Sequence, residues 1–237
     1  MRPITLSPRL RSVAERVPRG ARFADVGTDH AYLPVWLLQQ GVVERAIAAD
    51  LRPGPLDRAR ATAEKYGLTD RIRFYLCDGL SGISGEEADT VAIAGMGGET
   101  IAAILAAAPW TLERGTRLHL QPMSAQPELR RWLQDHGYAI LEERLSKEGN
   151  TLYTMFTVQA GPMAELSLGE LWAGRQSAGA DDPLRGEYLE RLILQAARAA
   201  EGLRKSTRTG DELRLAEWER LEKALREMKE AWLTWRA

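Results

Sequence analysis

The chain has 237 residues, 44% hydrophobic and 27% charged, enough for one sizeable core and a small appended module. Its formal net charge of -1 excludes a global pull toward nucleic acid or membrane, so any such affinity has to come from local patches. Cys77 is the only cysteine, which excludes internal disulfides and all-cysteine metal sites. No apolar run approaches the roughly 20 residues of a membrane span, and Met1-Arg2-Pro3-Ile4-Thr5 lacks a signal-peptide apolar region. These features predict a soluble cytoplasmic protein without membrane association, and no obligate protein partner is evident.

In chain order, residues 7–17 read as a helix with Ser7 as N-cap, Pro8 at its first position, and Leu10, Val13, Ala14 and Val17 on one face. Strands are predicted over 22–26, 45–50, 72–76, 90–94 and 117–121, alternating with helices over 32–39, 55–66, 99–107 and 126–136. Most of these strands are apolar runs closed by a polar or glycine-rich turn, as expected where both faces are buried. Strands over 138–145 and 152–159 have no helix between them and read as a hairpin through Lys147-Glu148-Gly149-Asn150. Parallel crossovers followed by a terminal antiparallel hairpin define an α/β, Rossmann-like sheet in its methyltransferase variant, over residues 1–160.

Residues 161–182 are rich in glycine and serine and read as a linker. Over 183–237, Leu189, Leu192, Ala196, Ala199 and Leu203 step by three and four, as do Trp218, Leu221, Leu225, Met228, Trp232 and Trp235. That spacing predicts an antiparallel coiled-coil hairpin, turning near Lys205-Ser206-Thr207-Arg208-Thr209-Gly210, with Trp218 opposite Ala199.

The chemistry concentrates after the first strand, in Asp25-Val26-Gly27-Thr28-Asp29-His30-Ala31-Tyr32. One glycine is too few for a dinucleotide phosphate cradle, which needs three. A sulfonium ligand has no phosphate; it needs close backbone approach and carboxylates for its ammonium and ribose hydroxyls. Asp25, Gly27 and Thr28, with Asp50 at the end of the second strand, supply those groups, although both aspartates could instead cap helices. Asp78-Gly79-Leu80 after the third strand offers a carboxylate for an exocyclic amine and an apolar face for a purine, but Asp-Gly is also a common turn. Gly95, Met96, Gly97 and Gly98 bring bare backbone to the end of the fourth strand and leave room for a flat ring. Gln121 and Pro122 line the opposite rim. Cys77 reads as a partly buried spectator.

Asp29 and His30 fall on the substrate side of the ligand loop, beside Tyr32. Asp29 either caps the next helix or holds a substrate through an amine proton. His30 reads as an ordered hydrogen-bonding residue; with only His119 and His136 elsewhere, no metal site is expected.

In these strings the chain resembles the bacterial tRNA (adenine22-N1)-methyltransferase family. The resemblance runs from Ser7-Pro8-Arg9-Leu10 through Gly27-Thr28-Asp29-His30-Ala31-Tyr32-Leu33-Pro34, Gly54-Pro55-Leu56 and Asp78-Gly79-Leu80 to Ala94-Gly95-Met96-Gly97-Gly98 and Leu120-Gln121-Pro122. It implies a class I enzyme that uses S-adenosyl-L-methionine to methylate an adenosine N1 in the D-arm region of tRNA, with a C-terminal coiled coil that assists tRNA binding. Adenine N1 already has a lone pair, so positioning and a carboxylate near the developing positive charge suffice; Asp29 is the candidate. Arg9 and Arg11, within the basic run of Arg2, Arg9, Arg11, Arg16, Arg19 and Arg22, and Arg204, Lys205 and Arg208 at the hairpin tip, are candidate phosphate contacts. The alternatives are a methyltransferase for a small molecule or another RNA, and a ligand-binding adaptor with a retired active site.

Overall fold

The structure is a computed structural model that describes residues 4–177, 181–206, 208 and 210–236. Arg2, Thr207 and Thr209 lie outside the described residues. The chain divides into two units, Met1–Met163 and Ala164–Ala237.

The first unit runs α1 (Pro8–Ala14), β1 (Phe23–Val26), α2 (Tyr32–Gln39), β2 (Ala46–Asp50), α3 (Pro53–Lys65), β3 (Ile72–Leu76), β4 (Thr90–Gly97), α4 (Gly98–Ala106), α5 (Trp110–Glu113), β5 (Arg117–Ser124), α6 (Gln126–Asp135), β6 (Tyr138–Glu148) and β7 (Thr151–Ala160). The seven strands form one sheet in the order β3-β2-β1-β4-β5-β7-β6. β7 is antiparallel to both neighbours, while β1 to β5 pair in parallel.

Strand alternation divides the core between the two faces of this sheet. Phe23, Ala46 and Ala48 pack with Val13, Leu33, Leu37 and Ala59 from α1, α2 and α3. Ala24, Val26, Ile47 and Ala49 pack with Ile101, Leu105, Leu129 and Leu133 from α4 and α6. The same alternation puts Asp25 and Asp50 on the first of these faces. Because Asp25 is in register with Ala48, the two carboxylates fall at neighbouring strand ends.

Local boundaries depart from the sequence in two instructive places. The first helix ends at Ala14, and Ser7 occupies its N-cap without a side-chain capping bond. β4 continues through the glycine string to Gly97, with register shifts against β5 at Met96, so these glycines form a bulged strand end. Gly95 there has φ 82, a conformation that glycine adopts without strain.

The second unit contains α7 (Leu168–Ala173), α8 (Arg185–Arg204) and α9 (Asp211–Arg236). Thus part of 161–182, expected to be linker, is a helix. Its signature is Ser167-x-x-Glu170: Glu170 N–H donates to Ser167 Oγ at 3.3 Å, and Ser167 N–H donates to the Glu170 carboxylate at 3.1 Å. Arg185 is buried and donates to the carbonyls of Ala173 and Gly174 at the end of α7, and to Gln176 Oε1 at 2.9 Å.

This third helix rotates the seam between the other two. The buried stripe on α8 is Leu189, Leu192, Ile193, Ala196 and Ala200, in place of the expected Ala199 and Leu203. Trp218 packs edge-on against Trp172 of α7, with ring centroids 5.2 Å apart. Trp235, expected in the seam, is exposed.

Candidate active site

β1 feeds four buried residues into a turn that crosses the end of β2, where Gly27 and Thr28 N–H donate to Ala49 C=O at 2.8 and 3.1 Å. Gly27 has φ 76, and a Cβ there would run into the Met96 methyl. The positive φ favours glycine, and the Met96 side chain would have to swing away from any Cβ.

Asp25 is buried and accepts a hydrogen bond from Thr28 Oγ1 at 2.7 Å. Burial pushes its carboxyl up to about 6; the Thr28 hydrogen bond and the Arg9 charge oppose that rise, and the Asp50 charge adds to it. Asp50, equally withdrawn, accepts from Arg52 N–H at 2.9 Å. Neither aspartate caps a helix: α2 is capped at Ala31 and α3 at Arg52.

From this floor opens a cleft of about 450 Å³ that brings together Arg9, Asp25, Gly27, Thr28, Asp29, His30, Tyr32, Asp50, Gly95 and Met96. Its outer wall is the short segment before α2. Asp29 (φ 40) and Ala31 (φ 53) both adopt left-handed backbone around His30, which for alanine costs roughly 1–2 kcal/mol. Such strain collects at functional sites. Here it turns Asp29 outward instead of letting it cap α2, so that alternative role falls. The Asp29 carboxylate pairs with Arg58 of α3, through Nε at 3.2 Å and through Nη2, and approaches His30 Nε2 at 3.6 Å. The His30 ring stacks on Tyr32, with centroids 5.0 Å apart and planes 8° from parallel.

Arg9 reaches the cleft from α1. Its Nη1 donates to Gln121 Oε1 at 2.8 Å, its guanidinium lies 5.8 Å from the Tyr153 ring centroid, and its backbone N–H donates to Glu148 at 2.8 Å. Gln121 is buried and acts on the cleft through Arg9. Arg52, Arg58 and Tyr153 were not anticipated. The positive charges at 52 and 58 in a helix that begins where the second strand ends were a usable signal; Tyr153 carried none.

Other expected site residues lie outside the lining. Leu80 is buried in the core with Ile83 and Ile104, so it is unavailable to a purine in this arrangement, and a Cβ on Gly79 would press on Ile104. Asp78 is exposed beside the end of β2, where Cys77 N–H donates to Asp50 C=O at 3.1 Å. Gly97 caps α4. Gly98 is buried where a Cβ would strike the Ala125 carbonyl, so its smallness serves helix packing and not a ring. Pro122 is buried in β5 opposite Met96. Arg11 faces solvent and pairs with Glu15 at 2.8 Å. In the second unit, Arg204 pairs with Glu219 and Lys205 with Glu201, each at 2.7 Å, while Arg208 is exposed. Among the described residues, no three His, Cys, Asp or Glu side chains are grouped to hold a metal ion, and no helix is long and apolar enough to cross a membrane.

The strand order, the two carboxylates at neighbouring strand ends and the glycine turn between them define a class I methyltransferase. Residues 6–156 match the family described as a methyltransferase domain. The Bacillus subtilis tRNA (adenine(22)-N(1))-methyltransferase is 40% identical over 161 residues, 68% of each chain. The crystal structure of the B. subtilis m1A22 tRNA methyltransferase TrmK superposes with a TM-score of 0.83 at 31% identity, covering 95% of this chain and 99% of that one. The structure of M. capricolum TrmK in complex with the natural cofactor product, S-adenosyl-homocysteine, gives 0.81 at 27% identity, covering 96% of this chain and 99% of that one. The chain belongs to the tRNA (adenine22-N1)-methyltransferase family.

Proposed function

We propose that the protein transfers a methyl group from S-adenosyl-L-methionine to N1 of adenosine 22 in tRNA. The observation that carries the reading is the continuity of the cleft, from Asp25, Gly27 and Asp50 on its floor to Asp29, His30 and Tyr32 on its outer wall. The floor fits the cofactor: Asp50 offers acceptors for a ribose diol, Asp25 a carboxylate for an ammonium, and Gly27 bare backbone. The bound cofactor supplies an electrophilic methyl group on a sulfonium.

On the substrate side, Asp29 accepts from the exocyclic amine and stabilises the positive charge that develops on the purine as N1 attacks. The parallel rings of His30 and Tyr32 offer an aromatic wall at the position of an extruded base. Extruding a stacked adenosine costs a few kcal/mol, and phosphate contacts offset it. Arg9 is the α1 residue suited to this; Arg11 has an exposed partner to exchange. The helices of residues 164–237 serve tRNA binding, through Arg204, Lys205 and Arg208. A tRNA substrate puts the work of the protein in the cytoplasm.

Purified protein, labelled cofactor and unmodified tRNA transcripts test the reading directly. Label on adenine N1 at position 22 is the expected result. Cofactor binding without transfer to any RNA would favour a retired adaptor.

A further inference from the structure

Arg58 has a specific arrangement that the chemistry above does not use. It stands on the second turn of α3 and folds back toward the start of that helix, its Nη1 3.9 Å from where a Gly54 Cβ would lie. From there it reaches Asp29, which lines the mouth of the cleft, while Arg58 itself stands outside the lining. Both partners are substantially open to water, Arg58 at 48% and Asp29 at 58% side-chain exposure. Arg52, 77% exposed, occupies the same mouth with its Nε 3.9 Å from the Asp50 carboxylate. So Arg58 is already paired, before substrate arrives, with an aspartate that the reaction needs, and Arg52 stands near a second.

The pairing has a consequence for charge. A carboxylate already matched by a guanidinium offers less stabilisation to a cation forming on a purine. An ion pair this exposed is worth about 0–1 kcal/mol, so it is cheap to exchange. A phosphodiester can meet the planar guanidinium fork with two parallel hydrogen bonds, whereas Nε and Nη2 here share the single Oδ1 of Asp29. An extruded nucleotide entering the cleft carries phosphodiesters on both sides of its sugar.

We propose that Arg58 exchanges partners: a backbone phosphodiester of the RNA next to the extruded adenosine takes the guanidinium, and Asp29 is thereby released toward the base. Arg58 is a positioning residue that reads RNA backbone and unmasks Asp29 only when RNA is bound. This rests on the tRNA reading above and adds a requirement for a flanking phosphate that a free nucleoside cannot meet.

The test is tRNA binding by the full chain across a salt series, for the parent, Arg58→Ala and Arg58→Lys, with and without Asp29→Asn. Calorimetric binding of S-adenosyl-homocysteine checks that each variant is folded. Arg58→Ala should weaken tRNA binding about 10-fold and make the slope of log K against log salt shallower by roughly 0.7–0.9, one phosphate contact. Arg58→Lys, which keeps a point charge, should restore most of that slope. The Arg58→Ala loss should be larger in the Asp29→Asn background, where no carboxylate competes for the guanidinium. An unchanged salt slope in Arg58→Ala overturns the phosphate contact, and equal losses in the two backgrounds overturn the exchange. A parent that binds tRNA but never methylates it fails the proposed function alone; a parent that methylates while Arg58→Ala keeps its slope fails this inference alone.

Discussion

Asp25 and Asp50 lie on the floor of the cleft and Asp29 on its rim, and the three carboxylates live under different physics. The floor pair is fixed by strand register, withdrawn from water and held by short hydrogen bonds from Thr28 Oγ1 and Arg52 N–H. The rim aspartate sits in a strained turn, exposed, and paired with an arginine from a different helix. On the floor, Asp25 senses protonation strongly, and a fixed, withdrawn pair can hold a ligand in one orientation. The group on the rim senses salt and competing anions and can change partners. A transferase that must grip one substrate and admit another benefits from both behaviours within one cleft.

The largest test of that contrast comes from a second buried site, an ion pair between α6 and β6. Arg130 of α6 is fully buried, lies 4.6 Å from the Phe156 ring centroid, and donates to Glu143 of β6 at 2.7 Å. Removing one member of such a pair strips the other of a hydrogen-bonded counter-charge in a buried place, so Glu143→Ala should destabilise the fold by about 3–5 kcal/mol. Urea denaturation reads this directly. A loss below about 1 kcal/mol would break the distinction between buried and exposed charge on which the comparison stands.

At the rim, Asp29→Ala should leave cofactor affinity nearly intact and lower turnover by about 2.7–4 kcal/mol, the effect of losing one preorganised electrostatic contact. Single-turnover methylation measured beside calorimetric cofactor binding separates the two. Equal turnover in parent and variant would reduce Asp29 to a salt-bridge residue.

On the floor the contrast is sharpened by pH. The Asp25 carboxyl is raised from 3.8 to about 6 in the fold, so between those values the folded protein holds a proton that the unfolded chain has released. Stability of the cofactor-free protein should therefore fall as pH rises from about 4 to about 6, by at most about 3 kcal/mol. Affinity for a cationic ammonium should move the opposite way, rising through pH 6 as Asp25 ionises. Asp25→Asn should flatten both profiles. Asp50→Ala removes the acceptors offered to the ribose diol, and about 10- to 100-fold weaker cofactor binding is expected.

Much of the floor was legible in the sequence because it rests on local rules. An apolar strand closed by a glycine, and a second strand ending in aspartate, fix Asp25, Gly27 and Asp50 once the crossovers are parallel. The rim was less legible. That Ala31 would hold a left-handed N-cap, leaving Asp29 uncommitted to α2, is a tertiary outcome that propensity opposes. The Arg58 partnership needs α3 and the β1–α2 turn to meet, which spacing along the chain does not encode. Leu80 shows the ambiguity of an apolar residue after a turn, equally suited to a ligand face and to the core that takes it. In the second unit, glycine and serine composition concealed α7, although its capping box was there to be read.

The smallest expected effect lies at the tip joining α8 and α9, where the exposed half of the comparison recurs. Arg204 and Lys205 have carboxylate partners across or along the helices, and such pairs contribute about 0–1 kcal/mol. Arg208 follows them, exposed, with its N–H donating to Ser206 Oγ at 3.3 Å. Its charge acts on Asp211, whose carboxyl is held below its usual value chiefly by the Ser206 hydroxyl, with Arg214 and Arg208 as smaller contributors. Arg208→Ala should therefore change stability by less than about 0.5 kcal/mol. If this tip meets RNA backbone, the same substitution should weaken tRNA binding a few-fold and lower its salt slope by roughly one contact, with cofactor affinity unchanged. A variant whose tRNA affinity and salt slope match the parent would remove Arg208 from the RNA surface, and the contacts would then have to come from the cleft mouth.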